Sequence, residues 1–260
     1  MARSPKASHA MSDLDSPFII FAIALVAQCL AAYVGHRLSA TRPLKDYERK
    51  DFDVIQAATL TLLGLIIGFT FSMAITRYDQ RKNYEEAEAN AIGTEYVRAD
   101  LLPAKDAARL RELLLTYLDR RIAFYQARDN RSLGQINEDA TKLQAELWST
   151  ILRAANAQPT PIVALAVSGM NDVLNSQGYT QAAWWNRIPI AAWMMMGLIA
   201  VTSNLMVGYG ARRRGALLFV LPIVVSIAFL LIADIDSPRG GIIRVLPQNL
   251  ISLSQSMKAH

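Results

Sequence analysis

The chain has 260 residues, of which 52% are hydrophobic, 27 are Lys or Arg and 22 are Asp or Glu, giving a net charge of +5. Four windows of 21, 23, 24 and 19 residues contain no charged side chain, namely 16–36, 54–76, 188–211 and 215–233. A helix of about 20 apolar residues crosses a bilayer and satisfies its own backbone hydrogen bonds there. The sequence therefore predicts an all-α integral membrane protein with four transmembrane helices. It excludes a cytosolic enzyme, a secreted disulfide scaffold and a disordered chain.

The N-terminal segment, residues 1–15, is polar and expected to be mobile, and it lacks the basic leader of a signal peptide. We therefore expect span one to be retained as a membrane helix. Its Cys29 is the single cysteine of the chain, which excludes an intrachain disulfide and a metal cluster built on cysteine. The Lys and Arg residues flank the spans, so the positive charge does not indicate nucleic-acid binding.

Residues 16–76 are predicted to form the first transmembrane pair, and its second span carries an unusual face. Small and hydroxyl residues recur there at helical spacing, and Gly64 and Gly68 form a GxxxG motif. Small residues let helix backbones approach closely in lipid, within one chain or between subunits. Hydroxyls, exposed backbone and hydrophobic constrictions also build pore walls. Both interpretations remain open, and the candidate pore-lining residues are Thr61, Gly64, Gly68, Phe69, Ser72 and Thr76.

A basic cluster that includes Arg77 and Arg81 follows span two directly. Taken alone, the cluster is typical of a stop-transfer signal. In a symmetric oligomer, one copy per subunit would form a basic ring at a pore mouth and concentrate anions. The acidic residues that follow, Glu85 and Glu88 among them, are predicted to pair with this cluster at helical spacing.

Residues 77–187 are predicted to form a helical extramembrane domain. Its first part, 79–101, is rich in Glu and Ala, and two later segments have apolar residues at helical spacing. A break at 158–161 separates these segments from a further helix. The stretch 154–171 contains no charge, but its polar residues and prolines leave too short an apolar run for a fifth span.

Residues 188–233 are predicted to form the second transmembrane pair, and 234–260 a C-terminal tail. Asp234 and Asp236 lie at the end of span four, where a carboxylate opposes the helix dipole and needs a partner. We expect an ion-pair belt that joins these aspartates to Arg77 and Arg81, together with Arg239. A Ca²⁺ site is the alternative use of the two aspartates, but it needs six to eight oxygens, so no metal site is predicted.

Four spans place the two termini and the middle domain on one side of the membrane. Lys and Arg near the span ends number eight on each side, although their higher density in the short loops favours those loops as cytoplasmic. No nucleophile elbow, phosphate loop or zinc-binding motif occurs in the sequence. We therefore predict neither an enzyme nor a cofactor.

Two segments resemble a known family. One extends from Gly68-Phe69 through Arg77-Tyr78-Asp79 to residues 88–103, and the other is residues 234–245. Both are similar to the bacterial bestrophin-like family, a domain family without established function, and more distantly to the bestrophin anion channels. Those channels are pentamers in which the second of four membrane helices lines a narrow apolar neck and continues into a helical cytosolic domain.

The resemblance implies an axial pore lined by span two, but it gives two alignments of the neck. Alignment on Tyr78 places Gly64, Gly68 and Ser72 there, whereas alignment on Gly68-Phe69 places Thr61, Leu65 and Phe69 there. The chain lacks the acidic run with which bestrophins bind Ca²⁺, which argues against calcium gating. The resemblance also implies a cytoplasmic middle domain, against the density of basic residues.

From these observations we expect a homo-oligomeric, pentameric channel of the bacterial plasma membrane that passes small anions such as chloride. Its partners would be the lipid bilayer, further copies of the chain and small ions. The alternative is a non-conducting membrane sensor or scaffold whose helical domain binds a ligand or partner. A third option, a transporter, lacks the expected inverted repeat between the two pairs of spans.

Overall fold

The computed structural model describes residues 16–211 and 216–259, in which the chain is helical and contains no strand. Short 3₁₀ helices occur at Ala99–Leu101 and Ala216–Phe219. The α-helices of the described residues are α1 (Pro17–Thr41), α2 (Asp46–Arg98), α3 (Ala104–Gln126), α4 (Asn130–Ala157), α5 (Pro161–Trp185), α6 (Ile190–Gly210), α7 (Val220–Asp236) and α8 (Gln248–Ala259).

The chain divides into two compact units. The first, here called the membrane unit, holds the described residues up to Arg77 and those of Arg187–Arg244. The second, the helical unit, holds Tyr78–Asn186 and the described residues from Val245 onward. The predicted tail is thus shared between the units, because α8 packs with the helical unit.

Four stretches of the described chain are long and apolar enough to cross a membrane, which confirms the predicted all-α fold with four candidate spans. They are Pro17–Thr41, Leu217–Asp236 and windows within Asp46–Leu101 and Pro161–Gly210. The predicted N-terminal segment 1–15 and the basic residues 212–214 lie outside the described residues.

Helices α1 and α6 of the membrane unit pack closely because two glycines bring their backbones together. A Cβ at Gly35 would overlap the backbone carbonyl of Leu205, and a Cβ at Gly208 would overlap that of Ala32. Polar side chains add a second tie between the helices. Asn204 Nδ2 donates to Gln28 Oε1 at 2.9 Å, and a further hydrogen bond joins Gln28 to Ser226 of α7. Such polar contacts hold membrane helices together where hydrophobic burial does not.

The helical unit has one apolar core, built by α3, α4, α5, α8 and the extramembrane part of α2. The apolar faces predicted for the middle domain are buried there, including Leu114, Phe124 and Leu147. Helix α5 begins where Thr160 caps the N–H of Val163, with Pro161 in its first turn. The charge-free beginning of α5 contributes Val163, Ala166 and Met170 to this core.

Candidate functional site

The membrane stretch of α2 buries only a narrow stripe of side chains within the chain. Leu63, Thr70 and Ala74 are buried at spacings of seven and four residues. The six predicted pore-lining residues are all exposed: Thr61, Gly64, Gly68, Phe69, Ser72 and Thr76. A Cβ at Gly64 or Gly68 would meet nothing within 4 Å. The GxxxG motif therefore makes no close helix contact within the described chain and is available to another subunit or to a pore.

The hydroxyls of this face are partly used by α2 itself. Thr61 Oγ1 donates to the carbonyl of Ala57 and Thr76 Oγ1 to that of Ser72, both at 2.9 Å. Each hydroxyl then keeps its oxygen lone pairs free, because a hydroxyl has one donor and two acceptor positions. Phe69 is 66% exposed and is the bulkiest side chain of the six. The face thus combines weak oxygen ligands with one large apolar group.

At the end of the membrane stretch, the structure brings Arg77 and Asp236 together. Arg77 Nη1 lies 3.5 Å from Asp236 Oδ1, and the two side chains are 14% and 8% exposed. The same carboxylate accepts from the backbone N–H of Ile188, with nitrogen–oxygen distances of 3.2 and 3.1 Å. A carboxylate at the last residue of α7 is stabilised by a cation and an N–H group, as expected from the helix dipole.

Asp234, the other aspartate of the predicted belt, is engaged by the backbone instead of by an arginine. Its two carboxylate oxygens accept from the N–H groups of Ile242 and Ile243 at 2.7 and 2.8 Å. A Cβ at Gly241 would lie 2.5 Å from the Asp234 carbonyl, so this turn requires glycine. Arg239 lies in the same turn. Among the described residues, no three His, Cys, Asp or Glu side chains are grouped to hold a metal ion.

Arg81 differs from the expectation of an ion-facing basic ring because it is 1% exposed. Its guanidinium donates to the carbonyls of Ala183 and Asn186, both at 3.3 Å. These carbonyls lie at the end of α5, where a cation complements the helix dipole. Arg81 is therefore buried against the end of α5 in the helical unit.

Two glutamates that we expected to pair with the basic cluster have other partners. Glu85 accepts from Asn249 Nδ2 at 2.6 Å and from the backbone N–H of Leu250 at 3.0 Å, which places a carboxylate at the N-terminus of α8. Glu88 is fully buried and forms an ion pair with Arg121 of α3. These pairings correct the prediction, since the partners come from distant segments instead of from neighbouring turns.

Glu88 is the centre of a buried polar cluster. Tyr125 Oη and Thr180 Oγ1 donate to its Oε2 at 3.1 and 3.3 Å. Burial works against the charge of Arg121, but the Glu88 carboxylate more than offsets it and raises the pKa of Arg121. Burial and the Glu88 charge also raise the pKa of Tyr125, which therefore stays a donor. Arg121 and Tyr125 therefore both keep their protons at neutral pH.

A cavity of about 750 Å³ lies within the membrane unit between α1, α6 and α7. Its walls are mainly apolar, with Trp193 and Phe229 among them, and its lining includes no residue of α2. An apolar cavity does not replace the hydration shell of an ion. This cavity is therefore no ion path along α2.

The Bestrophin-like domain family matches residues 22–250 of the chain. A solved bacterial bestrophin homologue from Klebsiella pneumoniae is similar at 14% identity and a TM-score of 0.61, covering 93% of this chain and 95% of that chain. A variant of that homologue gives 12% identity and a TM-score of 0.64, with 91% and 96% covered. At these identities the likeness shows the fold. No curated protein matches the chain significantly. Since the family match covers most of its length, the chain belongs to the bestrophin-like family.

Proposed function

We propose that the chain assembles into a homo-oligomeric ion channel in the bacterial plasma membrane, with α2 of each subunit around an axial pore. The observation that carries this proposal is the open face of α2, where a Cβ at Gly64 or Gly68 would meet nothing within 4 Å among the described residues. Family and fold support a channel. The resemblance implies five subunits and a cytoplasmic helical unit.

The open face suits a short, weakly binding ion path. The glycines allow close approach of an ion to the backbone, and the oxygens of Thr61, Ser72 and Thr76 offer weak ligands. Phe69 would form the constriction. Conduction requires sites that are weak enough for the ion to leave.

We propose small anions such as chloride as the permeant ions, and this rests on the family resemblance. The side chains at the end of span two lend it little support, since Arg77 is paired with Asp236 and Arg81 is buried. Reversal potentials in a chloride gradient measure the selectivity. A shift towards the chloride potential supports an anion channel, and a shift towards the cation potential contradicts the choice of ion but not the channel.

Gly68→Trp tests the pore. We expect it to abolish ion flux into liposomes while native mass spectrometry still shows the wild-type subunit count. The matched control is Gly134→Trp, because Gly134 of α4 also has nothing within 4 Å of an added Cβ but lies in the helical unit. Wild-type flux in an assembled Gly68→Trp protein would overturn the pore assignment.

Phe69→Ala tests the same face of α2 if the Gly68→Trp protein does not assemble. Removing the largest apolar group of the face should widen the constriction and increase flux. An unchanged flux in this assembled variant would contradict the pore face. If the wild-type protein shows no detectable flux and is a monomer or dimer by native mass spectrometry, the non-conducting sensor is favoured.

A further inference from the structure

Two glutamates of α2 lie two helical turns apart and are both fully buried, but only one is compensated. Glu88 has an arginine and two hydroxyl partners. Glu95 is 0% exposed, and neither of its carboxyl oxygens has a hydrogen-bond partner among the described residues. A buried polar group without a partner is rare in folded proteins, and a carboxyl group in this position calls for a function.

The surroundings of Glu95 come from α5, which runs antiparallel to α2 here. Arg98 Nη1 donates to the carbonyl of Leu165 at 3.4 Å, and Gly169 lies one turn further along α5. A Cβ at Gly169 would overlap both Glu95 Oε2 and Arg98 Nη1. The glycine thus provides the space in which the carboxyl group lies against α5. The charged groups near Glu95 are Arg98 on α2 and Asp172 on α5.

The protonation of Glu95 follows from this environment. Burial raises the pKa of Glu95 to about 8; Arg98 lowers it and Asp172 raises it by smaller amounts. The folded chain therefore holds this proton at a pH where the unfolded chain, with an ordinary glutamate, releases it. Stability that depends on this proton is complete below the ordinary pKa and is lost as the pH rises towards 8.

We propose that Glu95 is a proton-binding site that holds α2 against α5 when protonated and loosens this contact when it is ionised. An ionised carboxylate without hydrogen-bond partners is costly to bury, so it must move out of the space beside Gly169 or draw in water. If the proposed function holds, the loosened helix is the one that continues into the pore face, and alkaline pH would change the ion flux.

The experiment is hydrogen exchange of residues 161–172 in the assembled protein between pH 6 and 9.5, corrected for the intrinsic pH dependence of exchange. If opening requires ionised Glu95, its rate should rise about tenfold for each unit increase in pH while the pH is below the pKa of Glu95. Above that pKa the rate should level off. Glu95→Gln, which resembles the protonated form, should remove this dependence. The control is Glu86→Gln, because Glu86 lies on the same helix and is exposed.

Glu95→Met is a second variant without a titratable group and should behave like Glu95→Gln. Exchange that keeps its wild-type pH dependence in both variants would overturn the proton site. Flux in liposomes at pH 6.5 and 8.5 tests the link to conduction separately. If both variants lose the pH dependence of exchange while the flux of the wild-type protein is the same at both pH values, the proton site is retained and its coupling to the channel is rejected. Exchange requires no conduction, so failure of the channel proposal does not affect this test.

Discussion

The membrane stretch and the extramembrane stretch of α2 belong to one helix of 53 residues, but they use their side chains in opposite ways. The membrane stretch leaves its small-residue face open and buries few apolar groups. The extramembrane stretch buries Arg81, Glu85 and Glu88 and gives each of these three side chains a partner. An apolar helix face that packs against no protein can contact lipid without a cost in free energy, whereas its exposure to water would be unfavourable. The open face is therefore stable in a bilayer and remains available to other subunits.

Two pairs of glycines in the membrane unit have different surroundings. Gly64 and Gly68 form a GxxxG motif, but a Cβ added at either would meet nothing within 4 Å among the described residues. Gly35 and Gly208 belong to no GxxxG motif, yet they bring two backbones together. Gly208→Leu should therefore have the largest effect of the substitutions considered, above about 4 kcal/mol, since the side chain cannot fit against the carbonyl of Ala32. Circular dichroism during denaturation in detergent measures the loss.

Gly64→Leu is the matched variant for Gly208→Leu. Its side chain enters open space within the chain, so each subunit should stay folded and any loss should concern assembly or flux. If Gly64→Leu unfolds the subunit as strongly as Gly208→Leu does, α2 is packed within the chain and the contrast between the two glycine pairs is wrong.

The next largest effect is expected in the charged core of the helical unit. Arg121→Met removes the cation but leaves Glu88 buried, which should cost about 3–5 kcal/mol. Arg120→Met is the control, because Arg120 is adjacent in sequence but exposed, and it should contribute under about 0.5 kcal/mol. The double variant Glu88→Gln with Arg121→Met should recover part of the loss, as measured by thermal unfolding. A loss as small as that of the control would show that Arg121 is not needed to stabilise the buried Glu88.

Sequence reasoning predicted the spans and the helical domain because their signals are local. Charge-free windows, apolar spacing and the break at 158–161 each depend on neighbouring residues only. The partners of Arg81, Glu85 and Glu88 lie 102, 165 and 33 residues away, so spacing along the helix gave no signal for them. Arg77 and Asp236 could be related by the order of the spans, since both lie at span ends on one side.

The glycines of the membrane helices also show that local sequence patterns do not identify distant partners. A GxxxG motif indicates that close approach is permitted, but it does not say which helix approaches. Gly35 and Gly208 act as a pair across two helices. Gly35 has Ala31 and Ser39 at the small-xxx-small spacing, but Gly208 has no small residue four positions away, so the sequence does not indicate that these two glycines meet. Glu95 was also missed as a site, although it lies in the segment that carries the family resemblance, because its burial depends on α5.

The smallest effect should come from an ion pair with similar chemistry to that of Glu88 and Arg121 but with exposed partners. Lys258 Nζ lies 3.1 and 3.4 Å from the carboxylate oxygens of Asp119, and the side chains are 55% and 53% exposed. Lys258→Ala should change stability by less than about 0.5 kcal/mol, since water solvates both charges after the change. Helix α8 should stay docked, because Glu85 holds its N-terminus from a buried position. A loss above about 1 kcal/mol in thermal unfolding, or release of α8 in limited proteolysis, would show that the exposed pair, and not the buried carboxylate, holds the C-terminal helix.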